Sequence, residues 1–255
     1  MNIIEVSQLT VNYEKTPVVW DVAFSIPSGG HLVAIIGPNG AGKSSLLKAL
    51  LGIIEPASGD VKFFGTSFAV ASKKIAYIPQ RGEIDWDFPI TAFEVVLMGA
   101  LAERKRLGFS TRQDRQKART LLEKLGMLSF ADRQIARLSG GQQQRLFIAR
   151  ALMQNADVYL MDEPFVGVDA ATQQEILDLF RELKGQGKTL LVVHHDLATV
   201  EKYFDWVVIL NTCLIASGPM ATTFTPETLM RAYGRSPTLL NEAVRRNLHQ
   251  QAGTL

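Results

Sequence analysis

The sequence predicts an α/β fold in which a mainly parallel sheet, flanked by helices, is preceded by an antiparallel β-subdomain and interrupted by an inserted helical subdomain. Three observations predict it. Downstream of about residue 140, strand-like and helix-like segments alternate, the pattern of βαβ units on a parallel sheet. The run LVAII at 32–36 is apolar throughout, as expected of a strand covered on both faces. Between about 85 and 140 the alternation stops and helix formers dominate, which marks the insertion.

Taken in order, residues 3–6, 9–13 and 18–26 read as short strands of an antiparallel sheet, ended by Pro27-Ser28-Gly29-Gly30. LVAII leads into a glycine-rich turn and the helix-like SSLLKALLG, and DVKFFG and KIAYIP then read as strands. TAFEVVLMGALAERKR and TRQDRQKARTLLEKLGM carry apolar residues at three- and four-residue steps, so both read as helices, separated at Gly108 and Ser110. The series QQQRLFIARALM, DVYLMD, ATQQEILDLFRELKGQ, TLLVVH, DLATVEKYF and WVVIL alternates helix and strand, and the residues after Ser217 read as helical. One domain over 1–230 is expected, with its helical subdomain at about 85–140, followed by a partly helical tail at 231–255.

Composition narrows the possible functions. With 47% hydrophobic and 20% charged residues the chain is ordinary for a globular protein, and 255 residues can bury a substantial core. Lys and Arg number 27 against 25 Asp and Glu, so no basic excess argues for nucleic acid. Cys213 has no partner for an internal disulfide, and its apolar neighbours in WVVILNTCLIA predict a buried side chain. The start, MNIIEVSQLTVNYEK, lacks the charged and apolar regions of a signal peptide, and no apolar run reaches the ~18 residues of a membrane span. A cytosolic chain is expected, with any membrane role mediated by a partner.

Three motifs carry chemistry. GPNGAGKSS at 37–45 has the spacing G-x-x-x-x-G-K-[ST] between a buried strand and an amphipathic helix. Its glycines let backbone N–H groups turn toward phosphates at a helix N-terminus, with Lys43 bridging the phosphates and Ser44 placed for Mg²⁺. DVYLMDEP supplies Asp162 at a strand's end to hold Mg²⁺ and Glu163 to align or deprotonate water, although an acidic pair there could also serve as a helix cap. LSGGQQQRLFIARAL at 138–152 places Ser139 as an N-cap, with Gly140 and Gly141 permitting close approach at a second anion-binding helix start.

GPNGAGKS, the Gln80 after AYIP, LSGGQQQR, VYLMDEP, GVD at 167–169 and HHD at 194–196 occur together in the order and at the distances of an ABC-type ATPase, which the chain resembles over about residues 3–220. The resemblance implies a P-loop NTPase core and two subunits paired head to tail, with ATP held between the P-loop of one and the LSGGQ helix of the other. It implies that Gly37, Pro38, Asn39, Gly40, Ala41, Gly42, Lys43, Ser44 and Ser45 bind ATP and Mg²⁺, and that Tyr13 stacks on adenine. Gln80 is expected to touch Mg²⁺ and the attacking water. Ser139, Gly140, Gly141 and Gln142 would clamp the partner's γ-phosphate, and Asp169 would cross the dimer interface. His195 takes the phosphate-sensing role. His194 is structural, since adjacent residues leaving a strand point to opposite faces and chelate poorly.

One P-loop and one LSGGQ per chain make a homodimer the simplest assembly. Without a span, the chain would sit on the cytoplasmic face of the inner membrane, attached to two permease subunits. RGEIDWDFPITAFEVVLMG at 81–99, with EPFVGVD and VVHHDL, resembles the ATPase subunits of divalent-metal importers for manganese, zinc or iron, manganese foremost, which an extracytoplasmic binding protein supplies. ATPases for iron chelates or cobalamin are the rival, and a soluble non-transport ATPase a more distant one. In such proteins the segment after Gln80 receives a permease helix. Trp86, Phe88, Ile90 and Phe93 could form an apolar seat with Glu83, Asp85 and Asp87 at its rim, while the alternative makes Trp86 and Phe88 core residues.

Overall fold

The structure, a computed structural model, describes residues 1–14, 16–103 and 110–234. In chain order its elements are β1 (Asn2–Tyr13), β2 (Thr16–Pro27), β3 (Leu32–Ile36), α1 (Lys43–Leu50), β4 (Ser58–Phe63), α2 (Phe68–Ala71), β5 (Ile75–Ile78), α3 (Ala92–Met98), α4 (Arg112–Lys124), α5 (Gly140–Met153), β6 (Val158–Met161), α6 (Ala170–Gly185), β7 (Thr189–Val193), α7 (Leu197–Tyr203), β8 (Trp206–Asn211), β9 (Cys213–Pro219), α8 (Met220–Thr223) and α9 (Pro226–Tyr233). They fall into two compact units, Met1–Val70 with the described residues from Leu191 to Gly234, and Ala71–Leu190.

In the first unit β2, β1 and β4 form an antiparallel sheet in that order. β1 is continuous where the sequence suggests two strands. Gln8 adopts φ 49 and the register with β2 shifts between Val6 and Leu9, so a bulge absorbs the polar Ser7-Gln8 pair while Ile4, Val6, Leu9 and Val11 all stay buried. β3 pairs parallel with β8, and every residue of β3 is buried, as its unbroken apolar run requires.

β8 turns back at Thr212, φ 59, into the antiparallel β9, a hairpin the sequence does not announce. Cys213 is therefore exposed, not buried as its neighbours suggest, because it is the first residue after that turn. The helical expectation after Ser217 holds for α8 and α9, the latter opened by a reciprocal Thr225–Thr228 cap and Pro226. The tail expected beyond 234 lies outside the described residues.

The second unit pairs β5 with β6 in parallel and holds the three longest of these helices, α4, α5 and α6. Thr91 and Thr111 open α3 and α4 with capping boxes to Glu94 and Asp114. α3 stops at Met98, short of the longer helix its periodicity suggests, and a 3₁₀ turn, Gly99–Glu103, follows. Gly99 packs closely on α5, where a Cβ would stand 2.2 Å from the Arg150 carbonyl oxygen. The remainder of that expected helix, from 104, lies outside the described residues. α5 is buried along most of its length, including Leu146, Phe147, Ile148 and Ala149. Among the described residues no helix is long and apolar enough to cross a membrane.

Candidate functional site

In the first unit the loop from Gly37 to Gly42 joins buried β3 to α1. Gly42 caps α1 with φ 90, and a Cβ there would lie 2.2 Å from the Val18 carbonyl oxygen. No other residue fits this position, on backbone conformation and on space. Gly37 is under similar pressure, 2.0 Å from the Leu210 carbonyl oxygen by the same construction. Asn39 and Gly40 form the exposed crest, Ala41 is buried, and Pro38, Ser44 and Ser45 are half-buried. Lys43 is only 6% exposed, and its Nζ donates to the carbonyls of Gly37 at 2.9 Å and Pro38 at 2.8 Å, which fixes the ammonium against the loop. Tyr13, at the end of β1, keeps half its surface exposed.

β7 delivers the two histidines to different surroundings. His194 is buried, its N–H bonded to Ile35 O, its Nδ1 accepting from the Asp196 N–H at 3.0 Å, and its ring edge-on to Phe204. Burial pushes its pKa down to about 4, so the ring is neutral near pH 7 with its proton on Nε2. His195 is exposed. Asp196 caps α7, accepting from the Ala198 N–H and from the Thr199 hydroxyl.

In the second unit Asp162 follows fully buried β6 and is itself 1% exposed, its N–H bonded to Ile78 O. Glu163 takes φ 52, a left-handed conformation unusual for a residue with a long side chain. Gln80 Nε2 donates to Glu163 Oε2 at 2.9 Å, across 83 residues of sequence. Burial, then the nearby Glu83 and Asp162 carboxylates, raise the Tyr77 pKa well above its ordinary value.

Ser139 caps α5, accepting from Gln142 N–H at 3.4 Å, while its own N–H donates to Gln142 Oε1 at 2.9 Å. Gly141 has open space where a Cβ would stand, whereas a Cβ on Gly140 would be 2.9 Å from Arg81 Nη1. The two signature glycines thus differ: one faces a guanidinium, the other is open. Asp169 caps α6 through Thr172 N–H at 3.0 Å and Thr172 Oγ1 at 2.9 Å, hydrogen bonds that hold its pKa below the ordinary carboxylate value.

The segment after Gln80 edges an apolar groove of about 320 Å³ lined by Ile84, Asp85, Phe88, Ile90, Val95, Met98, Ile135, Phe147 and Arg150. Phe88 is 57% exposed, which rules out a core role for it. Trp86 is half-buried and does not line the groove. It packs edge-on against Phe147 at 5.3 Å, its indole N–H donating to Arg81 O at 3.0 Å, and so backs the wall. Phe93 is covered by the Arg119 guanidinium instead. Sequence reasoning missed the walls that α3 and α5 contribute, Val95, Met98, Phe147 and Arg150. Met98 alone left a signal, an apolar residue on α3 that falls outside the buried face set by Val95 and Val96.

A glycine-forced phosphate loop with a buried lysine, and an acidic pair behind a buried strand, define a P-loop nucleoside triphosphatase. A family profile described as ABC transporter matches residues 19–166; the chain belongs to that family and is an ATPase. It is 52% identical to the zinc transport system ATP-binding protein TroB of Treponema pallidum (strain Nichols), over 96% of this chain and 93% of that one. It is 49% identical to the manganese transport system ATP-binding protein MntB of Bacillus subtilis (strain 168), over 97% and 99%. Among solved structures, an ATP-binding subunit of an ABC transporter matches with TM-score 0.77 and 29% identity, over 95% of this chain and 99% of that one. A dimeric ATP-binding cassette in a post-hydrolysis state with ADP and Pi matches with TM-score 0.75 and 25% identity, over 85% and 98%.

Proposed function

We propose that the chain is the ATP-hydrolysing subunit of a divalent-metal importer, with manganese as cargo, working as a homodimer on the cytoplasmic face of the membrane beneath two permease subunits fed by an extracytoplasmic binding protein. The observation that carries the coupling role is the apolar groove, whose exposed Phe88 lies eight residues beyond Gln80, the residue bonded to Glu163. A half-exposed phenylalanine over apolar walls suits the apolar face of a short helix. The metal reading rests on the manganese and zinc transport relatives and their coverage of nearly the whole chain.

Each residue has a defined task in this reading. The loop N–H groups and Lys43 hold phosphate oxygens, Tyr13 offers its exposed ring to adenine, and Ser139, Gly140, Gly141 and Gln142 present a helix start to the nucleotide of the second copy. The Ser44 hydroxyl, the Asp162 carboxylate and the Gln80 side-chain carbonyl are each hard oxygen donors of the kind Mg²⁺ prefers, and Mg²⁺ when bound would neutralise charge on the phosphates. Glu163, oriented by Gln80 Nε2, accepts a proton from water; His195, at the end of β7, holds the γ-phosphate; Asp169 meets the second copy.

Reconstitution with the neighbouring permease subunits tests the reading. ATP-dependent manganese uptake is expected. Glu163→Gln should lower turnover by about 10²–10⁴-fold while nucleotide binding persists. His195→Ala should also retain binding and lose nearly all turnover. Trp86→Ala and Phe88→Ala should keep basal hydrolysis and lose its stimulation by the permease. Unchanged manganese, zinc and iron uptake in a deletion strain would overturn the metal assignment.

A further inference from the structure

We propose that Arg81 is a positioning residue for ATP turnover: its guanidinium ties the first turn of α5 and the Gly167 turn to the segment that begins with Gln80, so that these parts move as one. The proposal rests on the roles given above to Gln80, Glu163 and the start of α5. It assigns to Arg81 a task that none of the sequence motifs contains.

Three sets of contacts converge on this residue, two through its guanidinium and one through its main-chain carbonyl. Arg81 Nε donates to Gln143 Oε1 at 2.9 Å, and Gln143 is a firm anchor, 4% exposed and itself donating from Nε2 to Ile135 O at 3.2 Å. Arg81 Nη1 lies 2.9 Å from where a Cβ on Gly140 would stand and 3.7 Å from that position on Gly167, so the guanidinium rests against both turns. Behind it, Arg81 O accepts the Trp86 indole N–H, and Trp86 packs on Phe147 of the groove wall. Gly140 follows the Ser139 cap, and Gly167 lies two residues before Asp169.

The residue type matters. An arginine presents Nε and Nη1 in different directions from one rigid plane, so one side chain can bond Gln143 and still fill the space beside Gly140; a lysine ammonium cannot do both. Gln80 and Arg81 are adjacent, with Cα atoms about 3.8 Å apart, so a main-chain displacement at Gln80 is passed directly to Arg81. Placing a cation beside the N-terminus of α5 is electrostatically unfavourable for the helix alone. The hydrogen bond to Gln143 offsets that, so Arg81 adds little net stability, as expected of a residue kept for what it positions.

The experiment uses the reconstituted transporter and compares Arg81→Ala, Arg81→Lys, Gln143→Ala and the Arg81→Ala/Gln143→Ala double variant, with Gln80→Ala in parallel. Arg81→Ala and Arg81→Lys should each lower kcat roughly 10–100-fold, the scale of a small misplacement of reacting groups, with KM for ATP and melting temperature unchanged. Gln143→Ala should lower kcat alike, with some loss of melting temperature because it is buried, and the double variant should have a kcat no lower than either single one. Unchanged kcat in Arg81→Ala, recovery in Arg81→Lys, or multiplied losses in the double variant would overturn the proposal, as would losses that appear only in KM or melting temperature. If Gln80→Ala loses turnover and Arg81→Ala does not, Arg81 alone has been misassigned; if Gln80→Ala turns over normally, the reading of the site falls first.

Discussion

The chain contains two glycine-rich helix starts that would each meet a phosphate, and they are built in opposite ways. The start of α1 is held by the main chain: Gly37 and Gly42 stand where any side chain would strike a carbonyl oxygen, and Lys43 bonds back to its own loop. The start of α5 is held by side chains, the Ser139–Gln142 cap and the Arg81 guanidinium beside Gly140, while Gly141 faces open space. A loop shaped by backbone collisions has one conformation. A helix start shaped by exchangeable hydrogen bonds can adapt to a partner, which suits the proposed engagement and release of a second subunit on each cycle.

Substitutions can break this contrast. Gly42→Ala brings both a left-handed backbone penalty and a collision with Val18, and should destabilise the protein by roughly 4 kcal/mol and abolish nucleotide binding, read by denaturant melts and a fluorescent ATP analogue. A stable, ATP-binding Gly42→Ala protein would refute the backbone account.

The α1 side also contains a neutral buried histidine: His194 follows the strand beside β3, its main-chain N–H on Ile35 O and its ring packed on Phe204 and accepting from the Asp196 N–H. With a folded pKa of about 4 against an ordinary 6.5, His194 is protonated more readily in the unfolded chain. Its share of stability is therefore intact above pH 6.5 and declines as the pH falls toward 4, by about 3 kcal/mol in full. Melts across that range should show this acid limb in the wild type, and His194→Gln should flatten it.

At α5 the effects should be smaller. Ser139→Ala should reduce stability by about 1 kcal/mol through loss of the cap. Gly141→Ala sharpens the comparison most although its effect is the smallest, because stability and function should move apart. An alanine in open space inside a helix should raise stability by about 0.5 kcal/mol while ATP-driven pairing of two subunits, followed by light scattering, is lost. A Gly141→Ala protein that pairs normally would place the phosphate contact elsewhere.

What was legible in the sequence was what sits in one contiguous stretch. The phosphate loop, the acidic pair, the Ser139 cap and the buried run of β3 each announce themselves because their physics is local. The Gln80–Glu163 bond joins residues 83 apart and the groove draws walls from four segments, so neither has a local pattern. Trp86 and Phe88 illustrate the limit well. The sequence makes them equivalent aromatics two positions apart, yet one backs Phe147 and the other stands exposed over the groove. Cys213 failed for a related reason: apolar neighbours predict burial only when the chain runs straight through, and here it reverses at Thr212.

Glu163 is mounted on a left-handed backbone that glycine or asparagine would occupy more comfortably. Stability and chemistry therefore select opposite residues at this position. A library of variants at 163 passed only through a heat challenge should drift toward glycine and asparagine, and the same library passed through a requirement for ATP turnover should return glutamate. The contest at that single codon is a direct record of how much folding stability this ATPase gives up to hold its carboxylate in place.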